Sequence, residues 1–85
     1  MRQLIVKVQS EAGLHARPAG ILVKKAGEFN SKIMLEKDGK TIDAKRLLAI
    51  LSLAAKQGDE IKITVEGSDE EAALEAVKAV IEADH

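Results

Sequence analysis

The sequence predicts an α+β fold, a two-layer open-faced sandwich in which a four-stranded antiparallel sheet carries three helices on one face. Segments with period-two alternation are interspersed with segments of helical period, in the order βαββαβα. The two central strands flank a tight turn, which makes them antiparallel neighbours. Each predicted strand has one polar side, as is typical of a sheet with one face in water. We expect one domain, residues 1–85.

The first half of the chain predicts three strands and a helix. The stretch QLIVKVQ alternates apolar and polar residues and predicts a strand. Residues 16–26 carry apolar side chains at helical spacing, and Gly27 follows where the helix can end. The stretch SKIMLEKDGKTIDA holds two short strands around Asp38 and Gly39, a dipeptide suited to the positive φ angles of a hairpin turn. A strand, a helix and a hairpin follow from this order.

The second half predicts two helices on either side of a strand. The stretch KRLLAILSLAAKQG is apolar on more than one side of a helix that we expect to end at Gly58. The stretch EIKITVEG alternates with its isoleucines and valine inward. In SDEEAALEAVKAVIEADH, Ser68 and Glu71 have the spacing of a capping box, and acids fill the first turn. We therefore expect the last helix to begin at this box.

Composition excludes several classes of function. The chain has no cysteine, which removes disulfides, thiolate zinc sites and cysteine nucleophiles. The second histidine, His85, is the last residue, and no acid has ligand-like spacing from His15, so we expect no metal. Phe29 is the single aromatic residue, which argues against nucleic-acid binding. No apolar run approaches the roughly 20 residues that span a bilayer, and we expect a cytoplasmic protein without membrane insertion.

The charge is unevenly distributed although the net charge is −1. Twelve of the thirteen Lys and Arg residues precede residue 66, whereas the last twenty residues hold seven of the fourteen Asp and Glu. A molecule polarised in this way can orient against a charged protein partner, although an acidic last helix is also an ordinary solvated face.

The stretch GLHARPAG carries the most specific chemistry. His15 is predicted to cap the first helix, so the free amides of Ala16 and Arg17, the helix dipole and the Arg17 guanidinium form an anion site beside the ring. A ring nitrogen of His15 can act there as a nucleophile. Pro18 suits the first helical turn, and Gly13 permits a sharp approach from the strand. The arrangement fits a covalent phosphohistidine, or a surface histidine without a role.

GLHARPAG resembles the active-site signature of the HPr family, the histidine-containing phosphocarriers of the bacterial phosphoenolpyruvate:sugar phosphotransferase system. The resemblance extends over the whole chain, through its length, its βαββαβα order and the stretch GKTIDAKRLLAILSLAAKQGDEI. It implies that His15 is phosphorylated on Nδ1 (the pros nitrogen) by enzyme I and passes the phosphoryl group to the IIA domains of sugar permeases. It also implies that Arg17 steadies the phosphoryl oxygens.

The resemblance implies a partner interface of exposed apolar and basic residues, namely Leu47, Leu48, Leu51, Lys24 and Arg46. We expect Leu47 and Leu48 to be partly exposed and ringed by basic residues, with Arg17, Lys25 and Lys45 completing the rim. Many Gram-positive relatives carry a regulatory serine where this chain has Arg46. Arginine cannot accept a phosphate from their kinase, so we predict no seryl regulation there.

The leading expectation is a carrier and not an enzyme, without a cofactor, and monomeric. Two alternatives stay open from the residues: a nitrogen-type regulatory phosphotransfer paralogue, and a non-catalytic interaction module with an incidental histidine.

Overall fold

The structure of the protein is a computed structural model that describes residues 1–83. His85, which the metal argument used, lies outside the described residues. The elements follow the predicted order: β1 Arg2–Lys7, α1 Ala16–Ala26, β2 Lys32–Lys37, β3 Lys40–Asp43, α2 Leu47–Ser52, β4 Glu60–Glu66 and α3 Glu70–Glu82.

The four strands form one antiparallel sheet in the order β1-β4-β2-β3. Alternation sets the register, because a slip by one residue would turn every apolar side chain to the other face. Ile33 therefore pairs with Val65, and Leu35 pairs with Ile63, all of them fully buried. The prediction of a four-stranded antiparallel sheet is confirmed.

The β2–β3 hairpin turns at the dipeptide that the sequence predicted. Asp38 has φ of 51° and Gly39 has φ of 83°, the left-handed pair of a two-residue hairpin turn. Asp38 and Gly39 are exposed, so the tip of the hairpin lies in solvent.

The three helices cover one face of the sheet. Helix α1 buries Ala19, Leu22 and Ala26, and α3 buries a stripe of the same period. They pack against each other, and α3 also lies against β1 and β4. On the opposite face of β1, Gln3, Ile5 and Lys7 are exposed. The open-faced sandwich is therefore confirmed.

Helix α2 is shorter than predicted. It ends at Ser52, and the chain then turns through Ala54, whose φ is 51°. The turn carries both Leu53 and Ala55 into the core, where they are about 5 % exposed. A continuous helix to Gly58 was therefore wrong, because neighbouring core contacts required a reversal of the backbone.

The capping box predicted at Ser68 and Glu71 does not form. Asp69 is the N-cap residue of α3, and its carboxylate accepts hydrogen bonds from the backbone N–H of Asn30 and Ser31 and from the Ser31 hydroxyl. Glu70, not Glu71, reaches back, and its Oε1 accepts from the Gly67 N–H at 3.2 Å. A long-range partner for Asp69 displaced the local motif.

Candidate functional site

His15 stands at the N-cap of α1, as predicted. Its backbone is extended, with φ of −87° and ψ of −167°, and its carbonyl accepts the Ala19 N–H at 2.9 Å. The ring makes no capping hydrogen bond and is exposed. The N–H groups of Ala16 and Arg17 have no intrahelical partner, and buried Pro18 has no N–H to leave unsatisfied. Two main-chain donors therefore remain at the mouth of the helix beside the imidazole.

The electrostatics of this helix end are positive. The first turn of α1 contains no acidic residue. The Arg17 side chain is exposed, and within residues 1–83 it makes no ion pair or hydrogen bond. The helix dipole adds a partial positive charge at the same end. The arrangement can hold a tetrahedral anion next to His15 without displacing a competing carboxylate.

The approach to His15 is held against the connection between α2 and β4. Gly13 has φ of 73°, and a Cβ placed there would lie 2.2 Å from the Ala55 carbonyl oxygen. Leu14 is buried and donates its N–H to that same oxygen at 3.0 Å. The glycine predicted to permit a sharp approach is thus needed for two reasons: its positive φ and the proximity of another backbone.

Residues 53–59, hereafter the 53–59 connection, form the support behind this approach. Asp59 Oδ2 accepts the Lys56 N–H at 2.8 Å, which closes the turn. That hydrogen bond is the main reason why the pKa of Asp59 lies below its usual value, with Lys37 contributing while partial desolvation opposes the shift. Gly58 donates to the Val8 carbonyl at 2.8 Å, which ties the turn to the end of β1. Sequence reasoning assigned this stretch to a helix and missed its role.

The apolar residues predicted for the interface are exposed to different degrees. Leu48 is 79 % exposed and Leu47 is 41 % exposed, whereas Leu51 is half-buried against the core. Sequence analysis missed Ile21, which is 38 % exposed on α1. Ile21 follows Arg17 by four residues and so lies on the same helical face, a spacing that could have indicated it.

The predicted basic rim is only partly free. Lys24 and Arg46 are exposed, and Arg46 precedes α2 without making a side-chain cap. Lys45 differs, because its Nζ donates to the Phe29 carbonyl at 2.8 Å. Lys45 therefore joins the segment after α1 to the residues before α2. Its ammonium is already bound there, which corrects its predicted place in the rim.

Two negative findings concern the described part of the chain. Residues 1–83 contain no group of three His, Cys, Asp or Glu side chains placed to hold a metal ion. None of the helices in that range has the length and apolar character needed to cross a membrane. The absence of a metal and of a cofactor stays a prediction.

This chain is similar to known proteins over nearly its whole length. The family model described as "PTS HPr component phosphorylation site" matches residues 3–83. The HPr-like protein Crh of Halalkalibacterium halodurans is 46 % identical over 77 residues, which is 91 % of this chain and 92 % of that protein. The phosphocarrier protein HPr of Treponema pallidum is 43 % identical over 77 residues, covering 91 % and 88 %.

Solved structures agree on the fold, and some of them are described as dimers. The crystal structure of HPr from Bacillus anthracis has a TM-score of 0.91 at 49 % identity, covering 94 % of this chain and 95 % of that one. A structure described as an HPr dimer from Thermoanaerobacter tengcongensis has a TM-score of 0.76 at 41 % identity, covering 96 % and 94 %. The monomeric state expected for this chain therefore stays a prediction. From the matched family model, the identities and the shared sandwich, this chain belongs to the HPr family of phosphotransferase-system proteins.

Proposed function

We propose that this protein is a phosphocarrier that receives a phosphoryl group on Nδ1 of His15 from phospho-enzyme I and transfers it to IIA domains of sugar permeases. The observation that carries the proposal is the start of α1, where exposed His15 precedes two main-chain N–H groups that have no intrahelical partner. The Arg17 guanidinium in the same turn makes no ion pair or hydrogen bond within residues 1–83. Family membership supports it, since the family model is named for the phosphorylation site.

The transfer follows from these groups. A neutral ring nitrogen attacks phosphorus in line, the new N–P bond forms, and the bond to the donor breaks with its electron pair returning to the donor. The main-chain donors and Arg17 stabilise the equatorial oxygens in the transition state and in the adduct. Delivery to a IIA domain reverses the roles. The chain is itself the phosphoryl acceptor in the first step and the phosphoryl donor in the second, so it acts as a carrier and not as an enzyme.

Exposure of the site suits a molecule that meets two partners in turn. Leu47 and Leu48 offer apolar area next to the helix that carries His15, and Lys24 and Arg46 supply positive charge. Burial of the leucines would stabilise the encounter, and the charges would speed it toward acidic partners. We propose that these exchanges occur in the cytoplasm. We also propose that one copy of the chain suffices for transfer, and light scattering of the phosphorylated protein tests how many copies associate in solution.

The direct experiment is incubation with phosphoenolpyruvate, Mg²⁺ and an enzyme I. We expect one phosphoryl group per chain, labile in acid and stable in alkali, and lost in His15→Ala. An adduct that survives His15→Ala, or no adduct at all, rejects the proposal. His15→Ala should unfold at the same denaturant concentration as the parent protein, because the exposed ring makes no cap hydrogen bond.

A second function is favoured by one observation, the similarity to proteins named Crh, one of which is described as a catabolite-repression HPr. A regulatory role through binding predicts that Leu48→Ala abolishes a complex while His15→Ala leaves function intact.

Competing enzyme I types and IIA acceptors separate the sugar branch from a nitrogen-type branch. Arg46 supports the carrier over a serine-regulated form, since a family kinase should leave residue 46 unmodified.

A further inference from the structure

We propose that Lys37 is a positioning residue for the His15 site, which it reaches through the 53–59 connection. The part of the proposal that concerns phosphoryl transfer rests on the function proposed above. Lys37 is the last residue of β2, and its side chain is 17 % exposed, which is low for a lysine in a domain of this size.

The ammonium of Lys37 contacts both ends of the 53–59 connection. Its Nζ donates to the Leu53 carbonyl at 3.3 Å and lies 3.6 Å from Asp59 Oδ2. A third contact, to Asp38 Oδ2 at 3.3 Å, is with an exposed residue at the hairpin tip. The cation thus joins the carbonyl where α2 has just ended to the carboxylate where β4 is about to begin.

The middle of the same connection supports the approach to His15. Its Ala55 carbonyl accepts the Leu14 N–H at 3.0 Å and lies against Gly13. Leu14 directly precedes His15, so the position of the Ala55 carbonyl determines where the helix mouth begins. Because Ala54 has positive φ, the connection is not a regular helix or strand that would hold itself. A charge-assisted bridge across its two ends adds to the restraint from the Lys56–Asp59 and Gly58–Val8 hydrogen bonds.

Asp59 links the two halves of this contact chain. The same Oδ2 that faces Lys37 accepts the Lys56 N–H at 2.8 Å, next to the Ala55 carbonyl group. Removing the ammonium leaves Asp59 with this backbone donor alone, and the Leu53 carbonyl loses its lysine donor. We therefore expect local loosening of residues 53–59 and of the Leu14 hydrogen bond, and not unfolding of the sheet.

The test compares Lys37→Met with Lys32→Met and Lys37→Arg. Lys32 is an exposed lysine on the same strand, and within residues 1–83 its side chain makes no ion pair or hydrogen bond, so it controls for loss of one charge. Amide hydrogen exchange followed by NMR reports the Leu14 N–H and, as a core reference, the Ile63 N–H. We expect the Leu14 N–H to exchange about tenfold faster in Lys37→Met than in the parent protein. The free energy that a hydrogen bond to a charged group contributes corresponds to about that fold-change. Lys32→Met should match the parent, and Lys37→Arg should restore most of the protection.

Phosphorylation by enzyme I gives the second readout. A displaced His15 should lower kcat for the chain as phosphoryl acceptor by about tenfold while KM stays constant, since small misplacements reduce rate and not docking. Equal acceleration of Leu14 and Ile63 exchange would overturn the proposal, because Lys37 would then only stabilise the whole domain. Exchange at Leu14 equal to that of Lys32→Met would also overturn it. If the parent protein itself is not phosphorylated, the proposed function fails, and the exchange measurement alone decides whether Lys37 positions the loop.

Discussion

The starts of α1 and α3 are two helix N-termini treated in opposite ways. At α3, Glu70 accepts the Gly67 N–H and faces the amino group of Met1 at 3.3 Å, and both hold the pKa of Glu70 below its usual value. At α1, the first turn contains no acid and the N-cap ring makes no capping hydrogen bond. The first turn of α3 carries two carboxylates and that of α1 carries none, so the start of α1 stays open to an incoming anion.

The largest effect should come from the glycines that lead into the two helices. Gly13→Ala forces a Cβ against the Ala55 carbonyl at positive φ, and we expect a loss of about 3 kcal/mol in the free energy of unfolding. Gly67→Ala meets Ser31 at 2.5 Å with φ of 156° and should destabilise to a similar extent. Denaturant unfolding measures both.

Phosphorylation separates these two variants. Transfer per folded molecule should fall in Gly13→Ala, which displaces the approach to His15, and should stay at the parent rate in Gly67→Ala. Equal transfer rates for the two folded variants would contradict the assignment of the site to α1.

A second prediction makes the start of α1 resemble that of α3. Ala16→Glu places a carboxylate in the first turn beside the free N–H groups and Arg17, where it competes with the phosphoryl oxygens. We expect phosphorylation by enzyme I to slow about tenfold to a hundredfold, while stability rises by up to about 1 kcal/mol. Ala16→Gln is the matched neutral control. Equal rates for the two variants would show that the open helix end is not used.

A third prediction concerns how stability depends on pH through the hydrogen bonds that the Asp69 carboxylate accepts at the start of α3. The Ser31 hydroxyl, with the Asn30 and Ser31 N–H groups, holds the pKa of Asp69 below its usual value although partial desolvation opposes the shift. A carboxyl whose folded-state pKa is lowered stabilises the fold above its unfolded-state pKa, about 3.9 for Asp. That stabilisation is lost as the pH falls through the lowered folded-state pKa.

Two variants isolate this contribution. Asp69→Asn should lower the unfolding midpoint at pH 7 by a few degrees and flatten the dependence of stability on pH below about 4. Ser31→Ala should give a smaller loss, because the two backbone donors remain. Neither should change phosphorylation at pH 7, and a fall in transfer rate in either would argue that the two helix starts are coupled.

The smallest effect should come from Glu71, which is exposed and pairs with Arg2 at the surface. Exposed ion pairs contribute little, so Glu71→Gln should move the unfolding midpoint by less than about 2 °C. Calorimetry at low and moderate salt measures it. A larger shift would mean that carboxylates at the start of α3 act together, and not through Glu70 alone.

Most of the fold was predictable because strand alternation and turn chemistry are local signals. Ile61 and Ile63 alternate with polar residues. The dipeptide of Asp38 and Gly39 forms the hairpin turn that these two residue types favour without help from distant contacts. Helix α2 was not predictable in length, because Leu53–Ala55 is apolar enough for a helix. The reversal depends on non-local contacts, namely the core burial of Leu53 and Ala55 and the hydrogen bond from Leu14 to the Ala55 carbonyl.

The candidate site shows the same division. His15 and Arg17 follow from the residues and their spacing, and the structure places them together at the start of α1. Lys37 carries no local signal, since it contacts the Leu53 carbonyl and the Asp59 carboxylate, sixteen and twenty-two residues further along the chain. Asp69 was likewise not part of the predicted Ser68 and Glu71 box, because its partner Ser31 lies 38 residues away in the chain.

The two donors at the start of α1 belong to the peptide backbone, and this affects how the site responds to mutation. Exchanging the side chain at position 16 for another neutral one leaves its N–H in place, so much of the anion-binding capacity is inherited with the helix itself. Proline is the exception, because Ala16→Pro is compatible with the first position of a helix and yet deletes a donor. A saturation library screened for sugar uptake should therefore tolerate neutral residues at 16 and reject proline there. Side-chain substitutions therefore reveal fewer of the anion-binding groups than the structure contains.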